Sequence, residues 1–315
     1  MQKLRIFMTG ASGYIGGTVA AALRQAGHAL SGLARSAGAA DKLRAHGIEP
    51  VRGELGSHGI VRNAARSADA VINCANAEDP FSVAAIIEGL AGSGKPFLHT
   101  SGSSVIGDKA AGILSPVIYH EDTPVDPLPE KIQRYAVQRA VLAAAGQGVR
   151  SVVLCPSLIY GEGRGANPDS IQVPTLIRQA VKSGVPRYIG AGDNVWSTVH
   201  IDDVVDAYLL ALERGPAGSF FFIENGEASL KAIVESIARL LGAKNAPQGW
   251  GIDEAIAEWG PMAAWFSLGG NSRINADRAR AMLGWKPHGA DLFREIEHGW
   301  YRRQLDAGAY APART

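Results

Sequence analysis

Residues 9–17, which read TGASGYIGG, constrain the fold of this chain more than any other segment. They follow an apolar run that predicts a short buried strand, and they open a segment in which Ile15, Val19 and Leu23 recur at helical spacing. A glycine-rich turn between a strand and a helix can bind a diphosphate, because the free N–H groups of the first helical turn face the anion. The segment therefore predicts a dinucleotide site.

The three glycines of this turn are expected to have separate roles. Gly10 allows the tight turn, Gly13 lets the backbone approach the ligand closely, and Gly16 lets the helix pack against the strand. The amides expected to hold the phosphates are those of Ser12, Gly13, Tyr14 and Ile15.

Strand-like and helix-like segments alternate through the first half of the chain. The predicted strands lie near residues 3–9, 29–34, 49–53, 69–75, 96–101 and 149–155, and the predicted helices lie near 14–26, 39–46, 57–67, 81–91 and 130–146. Such alternation predicts an α/β fold of the Rossmann type, a doubly wound parallel sheet with helices on both faces. Ligands bind such a sheet beyond the carboxyl ends of its strands, where the glycine turn lies.

The pattern becomes less regular after residue 160. The predicted helices there lie near residues 173–183, 202–213, 229–241, 253–258 and 275–283, and one short strand is predicted at 220–223. Asp202 and Asp203 stand where they would cap the second of these helices.

Composition limits the classes of partner. The 315 residues are 46% hydrophobic and carry a net charge of +1, which is typical of a globular protein and predicts neither nucleic acid nor a membrane as partner. No apolar run approaches the ~20 residues of a membrane helix, and no signal peptide is expected. Cys74 and Cys155 lie in apolar runs, so we expect free thiols and a cytoplasmic protein. The histidines show no metal-ligand spacing, and no metal site is expected.

The spacing G-x-x-G-x-x-G, led by Thr9, resembles the short-chain dehydrogenase/reductase superfamily, in particular its extended branch of the NAD-dependent epimerase/dehydratase type. Further segments similar to that branch are residues 69–75, 97–107, 155–161, 199–203 and 283–287. The resemblance covers nearly the whole chain. It implies binding of a nicotinamide coenzyme and a small-molecule substrate.

The resemblance also implies a division of the chain. A dinucleotide-binding domain is expected over residues 1–163 and a smaller, mostly helical substrate lobe over residues 164–315, with segments near 193–224 packing back on the first domain. By analogy with the family, a homodimer would pair through the helices near 81–91 and 130–146.

The choice of coenzyme depends on the end of the second strand. An NAD site of this type has an acidic residue there for the adenosine ribose, whereas this chain has Arg35 and Ser36. Arg35 can bind a 2′-phosphate through its fork of donors, so we expect NADP(H), with NAD(H) as the alternative. Other expected coenzyme contacts are Glu54 and Leu55 near the adenine, together with Cys74, Ala75, Thr100, Arg139 and Pro156.

The resemblance predicts the catalytic residues less well. The family uses a Ser or Thr with a Y-x-x-x-K motif, and this chain has Tyr135 and Arg139 at that spacing. Tyr135 is the expected proton donor. The family's hydroxyl position falls on Gly102, so Ser103 is the expected substitute. The alternative is that Tyr135 only packs on the sheet, in which case His120 or Tyr160 could donate the proton.

Three functions remain open at this point. The first is an NADPH-dependent reductase of a small carbonyl-type substrate. The second is a nucleotide-sugar epimerase or dehydratase, which usually needs the full catalytic set. The third is a catalytically impaired NADP(H)-binding sensor, which Gly102 and Arg139 would favour.

Overall fold

A seven-stranded parallel β-sheet lies at the centre of the computed structural model, which describes residues 3–310. The strands, in chain order, are β1 (Arg5–Thr9), β2 (Ala29–Ala34), β3 (Glu49–Arg52), β4 (Ala70–Asn73), β5 (Pro96–Thr100), β6 (Arg150–Pro156), β7 (Leu158–Tyr160), β8 (Arg187–Ile189), β9 (Val195–His200), β10 (Ser219–Ile223), β11 (Glu227–Ser229) and β12 (Gln248–Trp250). The central sheet has the order β10-β6-β5-β4-β1-β2-β3, and every neighbouring pair in it is parallel.

Helices cover both faces of this sheet. In chain order, the α-helices of the described residues are α1 (Tyr14–Gln25), α2 (Ala37–Ala45), α3 (His58–Ser67), α4 (Pro80–Leu90), α5 (Ile132–Ala143), α6 (Gln172–Ser183), α7 (Ile201–Arg214), α8 (Leu230–Leu241), α9 (Ile252–Trp259), α10 (Asp277–Leu283), α11 (Leu292–His298) and α12 (Trp300–Asp306). Within residues 3–310, none of them has the length and apolar character needed to cross a bilayer.

The alternation of side chains along β1 shows how the two layers form. Ile6 and Met8 point to one face, where they join a core cluster with α1, α2, α7 and α10. Phe7 points to the other face and packs with α3, α4 and α5. Because both faces are apolar, the strand is buried on both sides, as a parallel sheet requires. The predicted Rossmann-type fold is confirmed.

The chain after residue 160 builds a second, smaller core. A three-stranded sheet of order β11-β9-β7 and the pair β12-β8 lie there, with α6, α8, α9, α11 and α12. Three elements of this half pack elsewhere: β10 pairs with β6 in the central sheet, and α7 and α10 join the core on one face of that sheet. The division at residue 163 stays a prediction, and the short strands β7, β8, β9, β11 and β12 were not predicted.

Asp203 joins α7 to the loop that follows α10. Its buried carboxylate accepts hydrogen bonds from the backbone N–H groups of His288 (2.6 Å) and Gly289 (3.0 Å). Its backbone carbonyl accepts one from the indole of Trp285 at 2.8 Å. The expected aspartate cap of α7 is therefore wrong, because His200 provides the cap by accepting from the amide of Asp202.

We predict that Asp203→Ala lowers the free energy of unfolding by about 3 kcal/mol, because the amides of His288 and Gly289 lose a buried, charged acceptor. Urea denaturation measures this effect. Asp206→Asn is the matched control, since the Asp206–His288 pair is exposed and its loss should cost under about 1 kcal/mol. Equal midpoints for the two variants would contradict the role given to Asp203.

Candidate active site

The turn between β1 and α1 depends on the absence of a side chain at Gly10. This residue has a φ of +72°, and a Cβ there would lie 2.5 Å from the backbone carbonyl carbon of Cys74. The turn therefore packs directly on the end of β4. A Cβ at Gly16 would lie 2.3 Å from the carbonyl oxygen of Gly10, so α1 also starts in close contact with the turn.

The start of α1 presents unused hydrogen-bond donors. Gly13 donates to the carbonyl of Gly10 at 2.9 Å, and Gly17 donates to that of Gly13 at 2.8 Å. Among residues 3–310, the amides of Ser12, Tyr14, Ile15 and Gly16 have no acceptor. Such a set of free amides at a helix N-terminus fits the diphosphate of a dinucleotide.

A groove of about 600 Å³ opens at this turn and extends toward the C-terminal half of the chain. Gly13, Tyr14 and Ile15 lie at one end, and Tyr14 is held there by a hydrogen bond from its hydroxyl to the carbonyl of Gly161 at 2.8 Å. The rest of the lining is mixed: Ile159, Ile171, Trp196, Met262 and Ala263 are apolar, and Asn167, Asp169, Ser170, Gln172 and Ser267 are polar. The groove therefore joins a phosphate-binding turn to a lining of apolar and polar side chains.

The expected coenzyme residues fall into three groups. Gly13, Tyr14, Ile15, Cys74 and Pro156 line the groove. Gly10, Ser12, Gly16 and Ala75 belong to the turn or adjoin Cys74, and Arg35, Ser36, Glu54 and Leu55 follow β2 and β3 at the same edge of the sheet. Thr100 does not line the groove, because its hydroxyl is buried and donates to the carbonyl of Asn73 at 2.8 Å.

The residues after β2 differ in how they are held. Ser36 caps α2, with its side chain accepting from the amide of Ala39 at 3.1 Å. Arg35 is exposed, and among residues 3–310 its guanidinium makes no ion pair. Arg35 is therefore free to meet an anion at this edge.

The expected proton donor does not face the groove. Tyr135 and Arg139 line a separate cleft of about 230 Å³ beside β10, with Phe220 and Phe222. Tyr135 packs against a small core cluster that includes Val105. The expected catalytic roles of Tyr135 and Arg139 therefore conflict with their placement. The Y-x-x-x-R spacing puts both residues on one face of α5, but that face is turned away from the glycine turn.

His120 lies in the same separate cleft. Tyr160 is buried, and its hydroxyl donates to the carbonyl of Ala290 at 2.8 Å. Burial raises the pKa of Tyr160 above its ordinary value. Neither residue lines the groove, so neither replaces Tyr135 as a donor there.

Ser103 does line the groove, as expected. It belongs to a 3₁₀ turn, Ser103–Ile106, that follows β5, and its hydroxyl accepts a hydrogen bond from Ser272 at 2.7 Å. Ser101 and Ser104 are also at the groove. Hydroxyl groups are therefore available where the family places its Ser or Thr.

Two cations face the groove, one from the turn before α5 and one from α5 itself, and neither was predicted from the sequence. Lys131 and Arg134 line it, and Gln138, one turn further along α5, receives a hydrogen bond from Ser101 at 2.7 Å. These three positions are spaced i, i+3 and i+7, which is one face of a helix. The spacing alone does not identify this face, because the next face of α5 carries Tyr135 and Arg139, which are also long and polar.

Arg134 explains the glycine at position 102. Its guanidinium donates to the Ser104 hydroxyl at 2.7 Å and to the Glu78 carboxylate at 2.8 Å. A Cβ at Gly102 would lie 3.2 Å from Nη1 of Arg134, which is tighter than ordinary van der Waals contact. The loss of the family's Ser or Thr therefore goes together with an arginine in the space beside it.

The comparisons with known proteins agree with this architecture. Residues 6–223 match the model described as the NAD dependent epimerase/dehydratase family. The chain belongs to this family. It is 32% identical to an uncharacterised protein of Schizosaccharomyces pombe, over 95% of this chain and 100% of that protein.

Two further proteins are similar to this chain, one in sequence and one in structure. The chain is 28% identical to a 4-hydroxy-2-methyl-3-oxo-4-farnesyl-3,4-dihydroquinoline-1-oxide ketoreductase of Stigmatella aurantiaca, over 90% of this chain and 92% of that protein. It also resembles the structure of UDP-glucuronic acid 4-epimerase from Bacillus cereus in complex with UDP-glucuronic acid and NAD, with a TM-score of 0.74 and 17% identity over 96% of this chain and 99% of that one. The similarity to the epimerase structure shows the fold of this chain.

We predict that Gly13→Ala raises the dissociation constant of a nicotinamide dinucleotide at least about tenfold, a cost of ~1.4 kcal/mol. The reason is that a methyl group at the start of α1 would stand between the free amides and the phosphates. Calorimetric titration measures this. Gly59→Ala is the matched control, since Gly59 lies in α3 with open space around its Cβ position. Equal affinities for the two variants would contradict the phosphate site.

Proposed function

We propose that this protein is an NADPH-dependent reductase of the carbonyl group of an apolar substrate. The observation that carries the proposal is one groove that brings together the free amides of the glycine turn, serine hydroxyls, the cations Lys131 and Arg134, and apolar side chains. A reductase needs these parts: a coenzyme site, polar groups at the reacting carbonyl, and a surface for the rest of the substrate.

The coenzyme end of the groove assigns roles to the chain's own residues. The free amides of Ser12, Tyr14, Ile15 and Gly16 would hold the diphosphate, and Arg35 would meet a 2′-phosphate at the end of β2. Cys74 and Pro156, at the ends of β4 and β6, would form the floor beneath the coenzyme. When bound, the coenzyme supplies a hydride.

The middle of the groove contains groups that stabilise negative charge. As a carbonyl is reduced, its oxygen gains electron density and needs donors nearby. The Ser104 hydroxyl accepts a hydrogen bond from Arg134, which leaves its own proton free to donate to such an oxygen. Ser103 lies beside it in the same turn. These groups would orient the carbonyl.

The apolar side chains of the groove favour a hydrophobic substrate over a nucleotide sugar. Ile171 is 78% exposed and Met262 is 46% exposed at the groove, so both are available to contact an apolar ligand. The ketoreductase of Stigmatella aurantiaca, whose name describes a farnesylated ketone, supports the same substrate class. An assay with NADPH and 3-oxo esters of increasing alkyl chain length tests this, and kcat/KM should rise with chain length.

The assay also separates the other two functions. Conversion of UDP-glucose in the absence of added coenzyme would indicate an epimerase. Tight NADPH binding with no turnover of any 3-oxo ester would indicate a sensor. Either result would overturn the proposed reductase.

We predict that Arg35→Ala raises the KM for NADPH by about 10- to 100-fold, because a charge-assisted hydrogen bond to a phosphate contributes about 1.5–3 kcal/mol. The KM for NADH should stay unchanged, since NADH has no 2′-phosphate. Arg44→Ala is the control, because Arg44 is exposed on α2 and pairs with Asp41. A wild-type preference for NADH would contradict the coenzyme assignment.

We predict that Tyr135→Phe leaves kcat within about twofold of wild type, since this hydroxyl faces the cleft beside β10 rather than the groove. A lost general acid would instead lower turnover by roughly 10²- to 10⁴-fold. Steady-state rates with NADPH and a long-chain 3-oxo ester distinguish the two. A fall of that size would restore Tyr135 as the donor.

A further inference from the structure

Two cations, Lys131 and Arg134, line the groove, and they differ in burial and in their ionic partners. It is only 3% exposed, and its ammonium lies over the ring of Phe266, 4.3 Å from the ring centroid. Among residues 3–310, no carboxylate forms an ion pair with it. Arg134, one turn along, is held by Glu78 and Ser104. Lys131 is therefore a buried amine at the groove without an ionic partner.

The position of Lys131 makes its ammonium form less stable than that of an ordinary lysine. Lys131 ends a 3₁₀ turn and stands at the N-terminal boundary of α5, where the helix dipole is unfavourable for a cation. Burial is the largest cause that lowers its pKa, and the charge of Arg134 lowers it further, against the opposing effects of Glu78 and Glu130. Together they lower the pKa of Lys131 to about 8. Lys109 also lies over Phe266, with its ammonium 5.6 Å from the ring centroid.

We propose that Lys131, rather than a tyrosine, is the proton donor for the carbonyl reduction at this groove. The proposal rests on the proposed function and on three features of its place: it lines the groove with Ser103 and Ser104, it is desolvated, and it has no competing ionic partner. Ser103 and Ser104 would orient the carbonyl oxygen, and Arg134 would fix Ser104.

The reduction adds one proton and one hydride to the carbonyl group. Lys131 gives one ammonium proton to the carbonyl oxygen while the carbonyl carbon accepts a hydride from the coenzyme. A C–H bond and an O–H bond form, the C=O π bond and one N–H bond break, and the substrate is reduced to an alcohol as the coenzyme is oxidised. Lys131 is left as a neutral amine and regains a proton from water at the mouth of the groove.

The direction of the pH effect follows from the charge of the donor. The reduction requires the ammonium form, so kcat/KM for the ketone at saturating NADPH should fall as the pH rises through about 8. Below that pH the rate should be level. Lys131→Arg would keep its charge at all these pH values and lose this inflection, because a guanidinium does not release its proton in this range.

Three variants test the assignment. Lys131→Met and Lys131→Arg should lower kcat with a 3-oxo ester by about 10²- to 10⁴-fold while calorimetry shows unchanged NADPH affinity. Lys109→Met is the matched control, since Lys109 lies over the same ring but is half exposed and pairs with Glu130, and its kcat should be unchanged. Turnover of Lys131→Met within a few fold of wild type would overturn the proposal and leave the reductase function standing. Absence of NADPH binding by wild type would instead remove the proposed function.

A measurement without turnover gives a second readout. In protein labelled with ¹³C-lysine, the ε-methylene signal assigned to Lys131 by its loss in Lys131→Arg should titrate near pH 8. A midpoint for Lys131 near 10.4, the ordinary value of a lysine amine in a model peptide, would contradict the desolvated donor. A borohydride-stable adduct between Lys131 and the 3-oxo ester would contradict it as well, since that amine would act as a nucleophile.

Discussion

The contact between the Gly10 turn and the backbone at Cys74 is the constraint on which the rest of the site depends. A side chain at residue 10 would overlap the carbonyl at the end of β4, and one at residue 16 would overlap the turn itself. Because the turn can pack this closely, α1 begins directly above the sheet edge with its first amides unpaired. The phosphate end of the groove, and the distance from it to the Ser103 turn after β5, follow from that packing.

The second constraint is the rotation of α5 about its axis. This helix places Arg134 toward the groove, whereas Tyr135 and Gln138 line the cleft beside β10. A rotation of one residue position, about 100°, exchanges these two faces. The family's Y-x-x-x-K spacing therefore survives in sequence as Tyr135 and Arg139, while the groups that reach the groove are cations. The space beside Arg134 is open because residue 102 has no side chain.

The central sheet could be predicted from sequence because its strands are continuous apolar runs and its helices have clear periodicity. The bounds of β1, β2 and β5 and of α1 and α4 agree with the structure to within two residues. The groove-facing residues Gly13, Tyr14 and Ile15 could be predicted for the same reason, since a local turn fixes them.

The C-terminal strands and Lys131 could not be predicted in this way. Strands of three residues, such as β7 and β11, form only where a distant partner pairs with them. The burial of Lys131 depends on Phe266, which is far from it in sequence and reaches it only in the folded chain. A spacing motif could not distinguish one face of α5 from the next, because both carry long polar residues.

The most direct test of this account is a crystal structure of the protein with NADP⁺ bound. The account predicts that the diphosphate accepts hydrogen bonds from the amides of Ser12, Tyr14, Ile15 and Gly16. It also predicts that the nicotinamide ring lies in the groove beside Ser103 and Lys131. A nicotinamide ring placed in the cleft with Tyr135, or a diphosphate bound away from the start of α1, would contradict it.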